Sequence, residues 1–239
     1  MLLAFPVRPF RSFPVLLSAV LFTGGVVSSA AAQADPGAAP QTRFDRVLSH
    51  FDFAASAVGE FDTTVNGPVQ NKLAVTPNSL TEHPSSTVGA MGTIRFQKSP
   101  WVGGEFNYRW AKYNYTFTFA NDPQNLLKFY TQNTANEYTV GYIAHPAHQL
   151  FGFKPFVGAG AGTVEFKPSR SSGSGLPVQA RAAYYYTVGG DTPFSGDRFG
   201  LRLGFRQVFY LAPDFGQNYL YIKKLAISSQ PTVGFYVHF

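Results

Sequence analysis

The five histidines have the most versatile side-chain chemistry in this chain, so their spacing is the first test for a metal or catalytic site. They are His50, His83, His145, His148 and His238. His145 and His148 flank Pro146, but no third ligand follows at a useful spacing, and zinc sites use three or four protein ligands. No serine lies near a histidine in a G-x-S-x-G context, although a triad of distant residues stays open. The pattern predicts no metal, no cofactor and no enzyme.

The glycines at 158, 160 and 162 suggest a phosphate-binding loop at first sight. A phosphate loop of that kind needs a following Lys-Ser/Thr pair and a helix, and neither follows here. We therefore interpret these glycines as packing positions of a strand. The formal net charge of +6 raises the question of nucleic acid, but the basic residues are dispersed without a patch, which argues against such a partner.

The composition narrows the fold class. Only 13% of the 239 residues are charged, against about 25% in a typical soluble domain. There is no cysteine, 16% of the residues are aromatic, and the mean hydropathy is near zero at −0.06. These values exclude a disordered tail, a coiled coil, a disulfide-stapled domain and a polytopic helical membrane protein. An aromatic, turn-rich, all-β chain remains.

Residues 1–34 are predicted to be a secretory signal peptide. Arg8 and Arg11 form a basic start, an apolar stretch spans 13–27, and Ala32-Gln33-Ala34 is an A-x-A cleavage site. An uncleaved membrane anchor is the alternative, although the apolar stretch is short for a span. We expect residues 35–46 to form a short periplasmic N-terminal segment and residues 47–239 a single barrel domain.

From about residue 47 onward, apolar residues recur at every second position, which is the period of a β-strand. Eight such segments cover about 51–61, 88–96, 102–110, 137–145, 154–166, 178–188, 199–211 and 232–239. Between them we predict long loops at 62–87, 112–136 and 213–226, medium ones at 167–177 and 189–198, and short turns at 97–101 and 146–152. Long loops alternating with tight turns predict an all-β, eight-stranded, antiparallel up-and-down barrel.

The apolar face of these strands favours lipid over a sealed core. The alternative is a soluble lipocalin-like barrel, in which this face would form the sealed core. The face carries many alanines, which fill such a core poorly. Aromatic residues mark the strand ends: Phe51 and Phe61 on one strand, Trp101 and Trp110 around another. With a strand tilt of about 40°, these spacings rise roughly 23–26 Å, close to the apolar band of a membrane barrel. We predict that these four residues form two aromatic girdles of a transmembrane β-barrel.

Charged residues lie on the opposite, inward face of the same strands. We predict a lumen charge network of Asp52, Glu60, Arg95, Glu105, Arg109, Glu137, Arg181, Arg202 and Arg206. Such a network is either a narrow ion path or a structural plug. The interior of an eight-stranded barrel is barely wide enough for its own side chains, so we interpret the network as a plug.

The alternating pattern and the last strand resemble bacterial outer-membrane β-barrel proteins of the small, eight-stranded OmpA-like/opacity type. The resemblance extends over residues 35–239 and is most specific at 154–162, at 200–210 and in the C-terminal strand. It implies outer-membrane localisation with both chain ends in the periplasm. It also implies that a C-terminal signal is read by the barrel-assembly machinery, here at Val233, Phe235, Val237 and Phe239.

The function expected from this resemblance is a structural platform for surface loops, serving membrane integrity or adhesion. The alternative is a narrow pore or a lateral route for small hydrophobic molecules, and an outer-membrane lipid-modifying enzyme is a third hypothesis. Expected partners are outer-membrane lipid and lipopolysaccharide. Lys223 and Lys224 either meet lipopolysaccharide phosphates or belong to a simple solvated loop. The loop sequences name no extracellular ligand.

Overall fold

A computed structural model describes residues 47–70, 79–97, 99–122, 124, 126–147, 149, 152–170, 175–195 and 198–239. The signal peptide predicted over 1–34 and the segment 35–46 lie outside the described residues, as does His148. Within the described part of the chain, no helix has both the length and the apolar character needed to cross a membrane.

The described chain consists almost entirely of β-strands. They are β1 (Phe51–Asp62), β2 (Val65–Pro68), β3 (Ser79–Pro84), β4 (Thr87–Phe96), β5 (Val102–Phe119), β6 (Phe129–Ala144), β7 (Lys154–Pro168), β8 (Gln179–Ser195), β9 (Phe199–Leu211) and β10 (Leu225–His238). A short 3-10 helix, Asn218–Leu220, lies between β9 and β10.

Eight of these strands close into a ring in which every neighbouring pair is antiparallel. β1 pairs with β4 on one side and β10 on the other, and the ring continues through β9, β8, β7, β6 and β5 back to β4. β2 and β3 form a hairpin that continues β1 and β4 and pairs with the upper part of β5. The predicted eight-stranded up-and-down barrel is confirmed. We call the end that holds the start of β1 and the close of β10 the turn end, and the opposite end the loop end.

The polarity of the barrel wall is inverted relative to a soluble barrel. Along β5, Glu105 and Arg109 are buried inside, whereas Phe106, Tyr108 and Trp110 are exposed outside. Exposed outward apolar side chains on the other strands include Phe53, Ile94, Val140, Val188, Leu203 and Phe235. We call this outward band the apolar belt. A closed barrel with an apolar outside and a charged inside is a transmembrane barrel.

Two predicted long loops are instead largely β-structure. Residues 62–87 contain β2 and β3, and residues 112–136 contain the end of β5 and the start of β6. The strand period continues there, but the apolar residues change faces: beyond Trp110, Tyr113 and Phe117 point inward. At this height the strands extend beyond the membrane, so their outward face is polar and their inward face forms a core. The predicted loop at 189–198 was also wrong over most of its length, since β8 extends to Ser195.

The core of the protein fills the lumen at the loop end. Strands β5, β7 and β9 contribute Phe117, Phe166 and Tyr210, all buried. The β9–β10 connection, residues 212–224, adds Phe215 and Leu220, both fully buried. This connection, which we call the cap, therefore folds into the loop-end mouth and closes it.

Candidate functional site: the closed lumen

An ion-pair layer crosses the lumen near the turn end. Arg202 binds Asp191 through two hydrogen bonds of 2.8 Å each and reaches Asp52 at 3.1 Å. Arg95 contacts Glu105 at 3.1 Å and Asp191 at 3.4 Å. Asp191 thus joins the two arginines, and all five side chains are nearly inaccessible to solvent. We call these residues the lower layer.

A second layer lies nearer the loop end. The Arg109 guanidinium contacts Glu60 and donates from Nε to Glu137 at 2.8 Å. Arg206 binds the same Glu137 at 2.6 Å and donates to the Thr139 hydroxyl at 2.7 Å. These residues, which we call the middle layer, balance two arginines against two carboxylates in a buried site.

Polar side chains connect the two layers. The Tyr185 hydroxyl donates to Glu105 at 2.8 Å, and the Arg206 guanidinium stacks over the Tyr185 ring at 4.0 Å. The Asn107 amide donates to Glu105 at 3.2 Å and its oxygen accepts from Thr93 at 2.8 Å. Hydrogen bonds to Glu105 and the stacking of Arg206 on Tyr185 therefore connect the lower layer to the middle layer, and these side chains fill the lumen.

The structure places most of the charges predicted for the lumen in these two layers. Arg181 differs, because it pairs with Asp214 of the cap at 2.6 Å, near the loop end. Asp191, the acid shared by both arginines of the lower layer, was missed by the sequence reasoning. It was missed because residues 189–198 were interpreted as a loop of medium length. Continuing the strand period through Thr187 would have placed Asp191 on the inward face.

The cap is held by a cluster around Asp214. Its carboxylate accepts from the Gln179 amide at 2.6 Å and from the Gly216 backbone at 2.8 Å, besides pairing with Arg181. Gln179 also accepts from the Phe215 backbone at 2.9 Å. Burial by itself raises the pKa of Asp214, but these hydrogen bonds and the guanidinium outweigh it and hold the pKa below its ordinary value. Asp214 is therefore ionised in the folded state at neutral pH.

Glu82 lies on β3, beyond the apolar belt, and faces the apolar core. It is fully buried, and neither carboxylate oxygen has a hydrogen-bond partner among the described residues. Its partners across the neighbouring strands are Val65 and Phe117. Burial raises the pKa of Glu82 to about 8, and the charge of Asp214 adds to this while Arg181 opposes it. Glu82 is therefore mostly protonated at neutral pH.

A cavity of about 550 Å³ opens at the turn end. Asp52 and Asp191 of the lower layer line its inner end, and His145 and His238 lie around it. A short contact of 2.5 Å joins the His145 ring to the Gln97 amide. Burial lowers the pKa of His145, so the ring is neutral at pH 7. Within the described residues, no group of three His, Cys, Asp or Glu side chains is arranged to hold a metal ion.

No protein-family model and no curated protein sequence matches the chain. Among solved structures, Neisserial surface protein A matches at 14% identity and a TM-score of 0.49, over 80% of this chain and 97% of that one. The outer-membrane protein AlkL, solved in DMPC bilayers, matches at 14% identity and a TM-score of 0.49, over 87% and 96%. The outer membrane protein OprG from Pseudomonas aeruginosa matches at 13% identity and a TM-score of 0.55, over 79% and 95%. The chain has the fold of a small outer-membrane β-barrel.

An outer-membrane barrel has short turns in the periplasm and longer loops outside the cell. The turn end therefore faces the periplasm and the loop end faces the exterior. The resemblance and the outer-membrane localisation predicted from the sequence agree with this fold. At the level of fold, the comparison favours a membrane barrel over a soluble lipocalin-like one.

The outer-membrane barrel presents the predicted girdle residues at its wall. Phe61, Trp101 and Trp110 are exposed, whereas Phe51 is half-buried against Phe96, with ring centroids 5.0 Å apart. Three residues of the predicted C-terminal assembly signal lie outward on β10, between β1 and β9, and Phe239 follows the end of that strand. The exposed side chains of the signal are Val233, Phe235, Val237 and Phe239.

Proposed function

We propose that the protein is a structural outer-membrane platform whose closed barrel holds a loop-end extension at the cell surface and does not conduct ions. The loop-end extension consists of β2, β3, residues 112–119 of β5 and residues 129–136 of β6. The observation that supports this proposal is the presence of two buried ion-pair layers beneath a folded cap. Arg202 of the lower layer and Arg109 of the middle layer each contact two carboxylates inside the lumen. A solute would have to separate these charges to pass.

The energetic cost of that separation supports a closed lumen. Breaking one partner of a buried ion pair costs about 3–5 kcal/mol, because the other charge is left without compensation. An eight-stranded barrel also has an interior only just wide enough for its side chains. Above the layers, the aromatic core adds an apolar segment, which is unfavourable for hydrated ions.

The loop-end extension gives the platform a rigid surface. β5 continues to Phe119 and β6 begins at Phe129, so the paired strands carry the chain beyond the apolar belt. Their outward side chains there are polar and exposed, as Asn114 and Gln132 are. Binding surfaces mounted on a rigid scaffold are a common use of such extensions. Adhesion or mechanical support of the membrane would use this surface.

Conductance of the purified protein in planar lipid bilayers tests the proposal. We expect no current steps, or only very small ones, with a general porin inserted in the same bilayers as the positive control. A double variant, Arg109→Ala with Arg206→Ala, removes both cations of the middle layer and should leak more than the wild type. Large, stable steps from the wild-type protein would refute the closed platform.

A second candidate, a route for small hydrophobic molecules, is favoured by one feature of the wall. A groove of about 620 Å³ lies on the lipid-facing side of β4 to β7. Phe96, Phe106 and Tyr142 line it, and Gly104 and Ala159 leave space between them. Movement of the cap would give the apolar core access from the exterior.

Uptake of an apolar fluorescent dye by cells with and without the protein separates the two candidates. The platform predicts equal uptake rates in both strains. Uptake that depends on the protein, and that increases in the Asp214→Ala variant with its loosened cap, would favour the hydrophobic route.

A further inference from the structure

The outward side chains of β5, β6 and β7 become more polar, row by row, from the apolar belt toward the loop end. These strands pair residue by residue, so each step is a row across three strands. The highest fully apolar row contains Phe106, Val140 and Ala161. The next row holds Tyr108 and Tyr138, whose ring centroids are 5.1 Å apart. Tyrosines of this kind mark the boundary between hydrocarbon and headgroups.

The following row is amphipathic and hydrogen-bonded. It contains Trp110, Asn136 and Glu165. The Asn136 oxygen accepts from the Tyr108 hydroxyl at 3.1 Å, and its amide donates to Glu165 at 3.5 Å. This row therefore lies at the level where polar headgroups begin.

Two lysines occupy the next row, on either side of a threonine. Lys112 is paired with Thr134, and Thr134 is paired with Lys167. Two strand spacings place the lysine Cα atoms about 10 Å apart. The Lys112 ammonium lies 5.7 Å from the Trp110 ring centroid, which holds it against the wall. Neither lysine forms an ion pair within the described part of the chain.

The basic row is local to this wall. On the other strands, the outward residues toward the loop end are neutral. They are Thr63, Asn66 and Ser86 beside β1 to β4, and Val178, Leu211 and Leu225 at the loop-end termini of β8, β9 and β10. The positive charge is thus concentrated over three adjacent strands instead of being spread around the barrel.

We propose that Lys112, Thr134 and Lys167 bind a phosphate group of the glycolipid in the outer leaflet. The two lysines lie two strand spacings apart, so their ammonium groups can contact one tetrahedral phosphate from both sides. The threonine hydroxyl between them can donate a further hydrogen bond. The level also fits, because the phosphates of such a lipid lie just beyond its hydrocarbon, as this row lies just beyond the tyrosines. The proposal depends on the outer-membrane location of the barrel and not on whether the lumen conducts.

Retention of lipid A by the folded protein tests the site. The full-length protein is incubated in detergent micelles with diphosphorylated lipid A, and bound copies are counted by native mass spectrometry. The test variant is Lys112→Gln with Lys167→Gln. The matched control is Lys128→Gln with Lys154→Gln, which removes two exposed charges that lie outside this row. Heat-modifiable gel mobility verifies that each variant is folded.

The wild type and the control should retain diphosphorylated lipid A, and the test variant should bind it about tenfold more weakly or worse, since each lysine near a charged surface contributes measurably. Lipid A without phosphates should be lost from all three proteins. Equal retention by the test variant, or a loss in the control instead, would overturn the assignment. Equal binding of phosphatidylglycerol, or displacement by inorganic phosphate at matched concentration, would likewise overturn the glycolipid as the occupant. A failure here leaves the conductance result untouched.

Discussion

The Tyr185 hydroxyl reaches Glu105 at 2.8 Å, although two strands separate them in the barrel wall. The side chain spans this distance by lying across Gly160 and Gly141, which belong to β7 and β6 and carry no side chain to obstruct it. The missing Cβ atoms thus allow a single tyrosine to connect the lower and middle layers of the lumen.

Replacing Gly141 with alanine should destabilise the barrel. The new Cβ would collide with the Tyr185 hydroxyl and with the backbone of β7. Overpacking of this kind costs about 1–3 kcal/mol, and displacement of Tyr185 would also remove the hydrogen bond to Glu105. We expect a lower temperature for the heat-induced shift in gel mobility. Gly92→Ala is the control, since a Cβ at Gly92 meets nothing within 4 Å; equal shifts in both variants would contradict the account.

Removing the Arg109 guanidinium should be among the most destabilising single changes in the lumen. Arg109→Met leaves Glu60 without its cation and Glu137 with only Arg206. An uncompensated buried charge costs about 3–5 kcal/mol. Equilibrium unfolding in urea with lipid vesicles, followed by tryptophan fluorescence, measures the loss.

The matched double variant separates charge from packing. Adding Glu60→Gln to Arg109→Met removes the stranded carboxylate and should recover part of the stability. If the double variant is no more stable than Arg109→Met alone, the cost comes from lost packing around the arginine and not from the unpaired charge.

Truncating Asp214 should release the cap. Asp214→Ala removes the acceptor for Gln179, Gly216 and Arg181 together. Hydrogen bonds to charged groups contribute about 1.5–3 kcal/mol, so the cap should open at least about tenfold more often. Trypsin added to intact cells reports this opening by cleaving after Lys223 and Lys224.

The conservative variant Asp214→Asn keeps an acceptor for Gln179 and Gly216 and should be cleaved at an intermediate rate. Rapid cleavage of the wild type at these lysines would show that the cap is not held as the structure has it.

The stability of the protein should fall as the pH rises toward 8, and Glu82 should account for part of that fall. Burial raises the pKa of Glu82 from 4.5 to about 8, so the folded state holds this proton more tightly than the unfolded chain. The contribution of this proton to stability is fully present below about pH 4.5, and it is lost as the pH rises through the folded-state pKa of about 8. Thermal shifts in gel mobility between pH 5 and pH 9 measure it.

Glu82→Gln should flatten that part of the pH profile and make the protein more stable than the wild type at pH 9. Glu165→Gln is the matched control, because it makes the same substitution at a carboxylate on the outward face of the wall. A wild-type profile with no slope, or an unchanged slope in Glu82→Gln, would contradict a buried Glu82.

Most of the barrel within the membrane was predictable from the sequence. The strand period is a local property, and lipid accepts only apolar side chains. Alternation alone therefore predicts that Phe106 and Val140 face outward. It likewise predicts that Glu105 and Arg109 face inward. The loop-end extension was not predictable in the same way. Beyond Trp110 the apolar residues change to the inward face, and a rule that seeks lipid-facing residues interprets that change as the end of the strand.

The sequence by itself determined an eight-stranded barrel with its strand charges inside, because a charge facing lipid is too costly to keep. Only the tertiary structure decided which charges pair. Arg202 contacts Asp52, 150 positions away, because closure of the ring brings β9 and β1 to the same height on either side of β10. It also decided that the lumen is closed above these pairs, since Asp214 and Arg181 meet only when the cap folds into the mouth. Such contacts depend on the register and curvature of the whole ring, which no local pattern specifies.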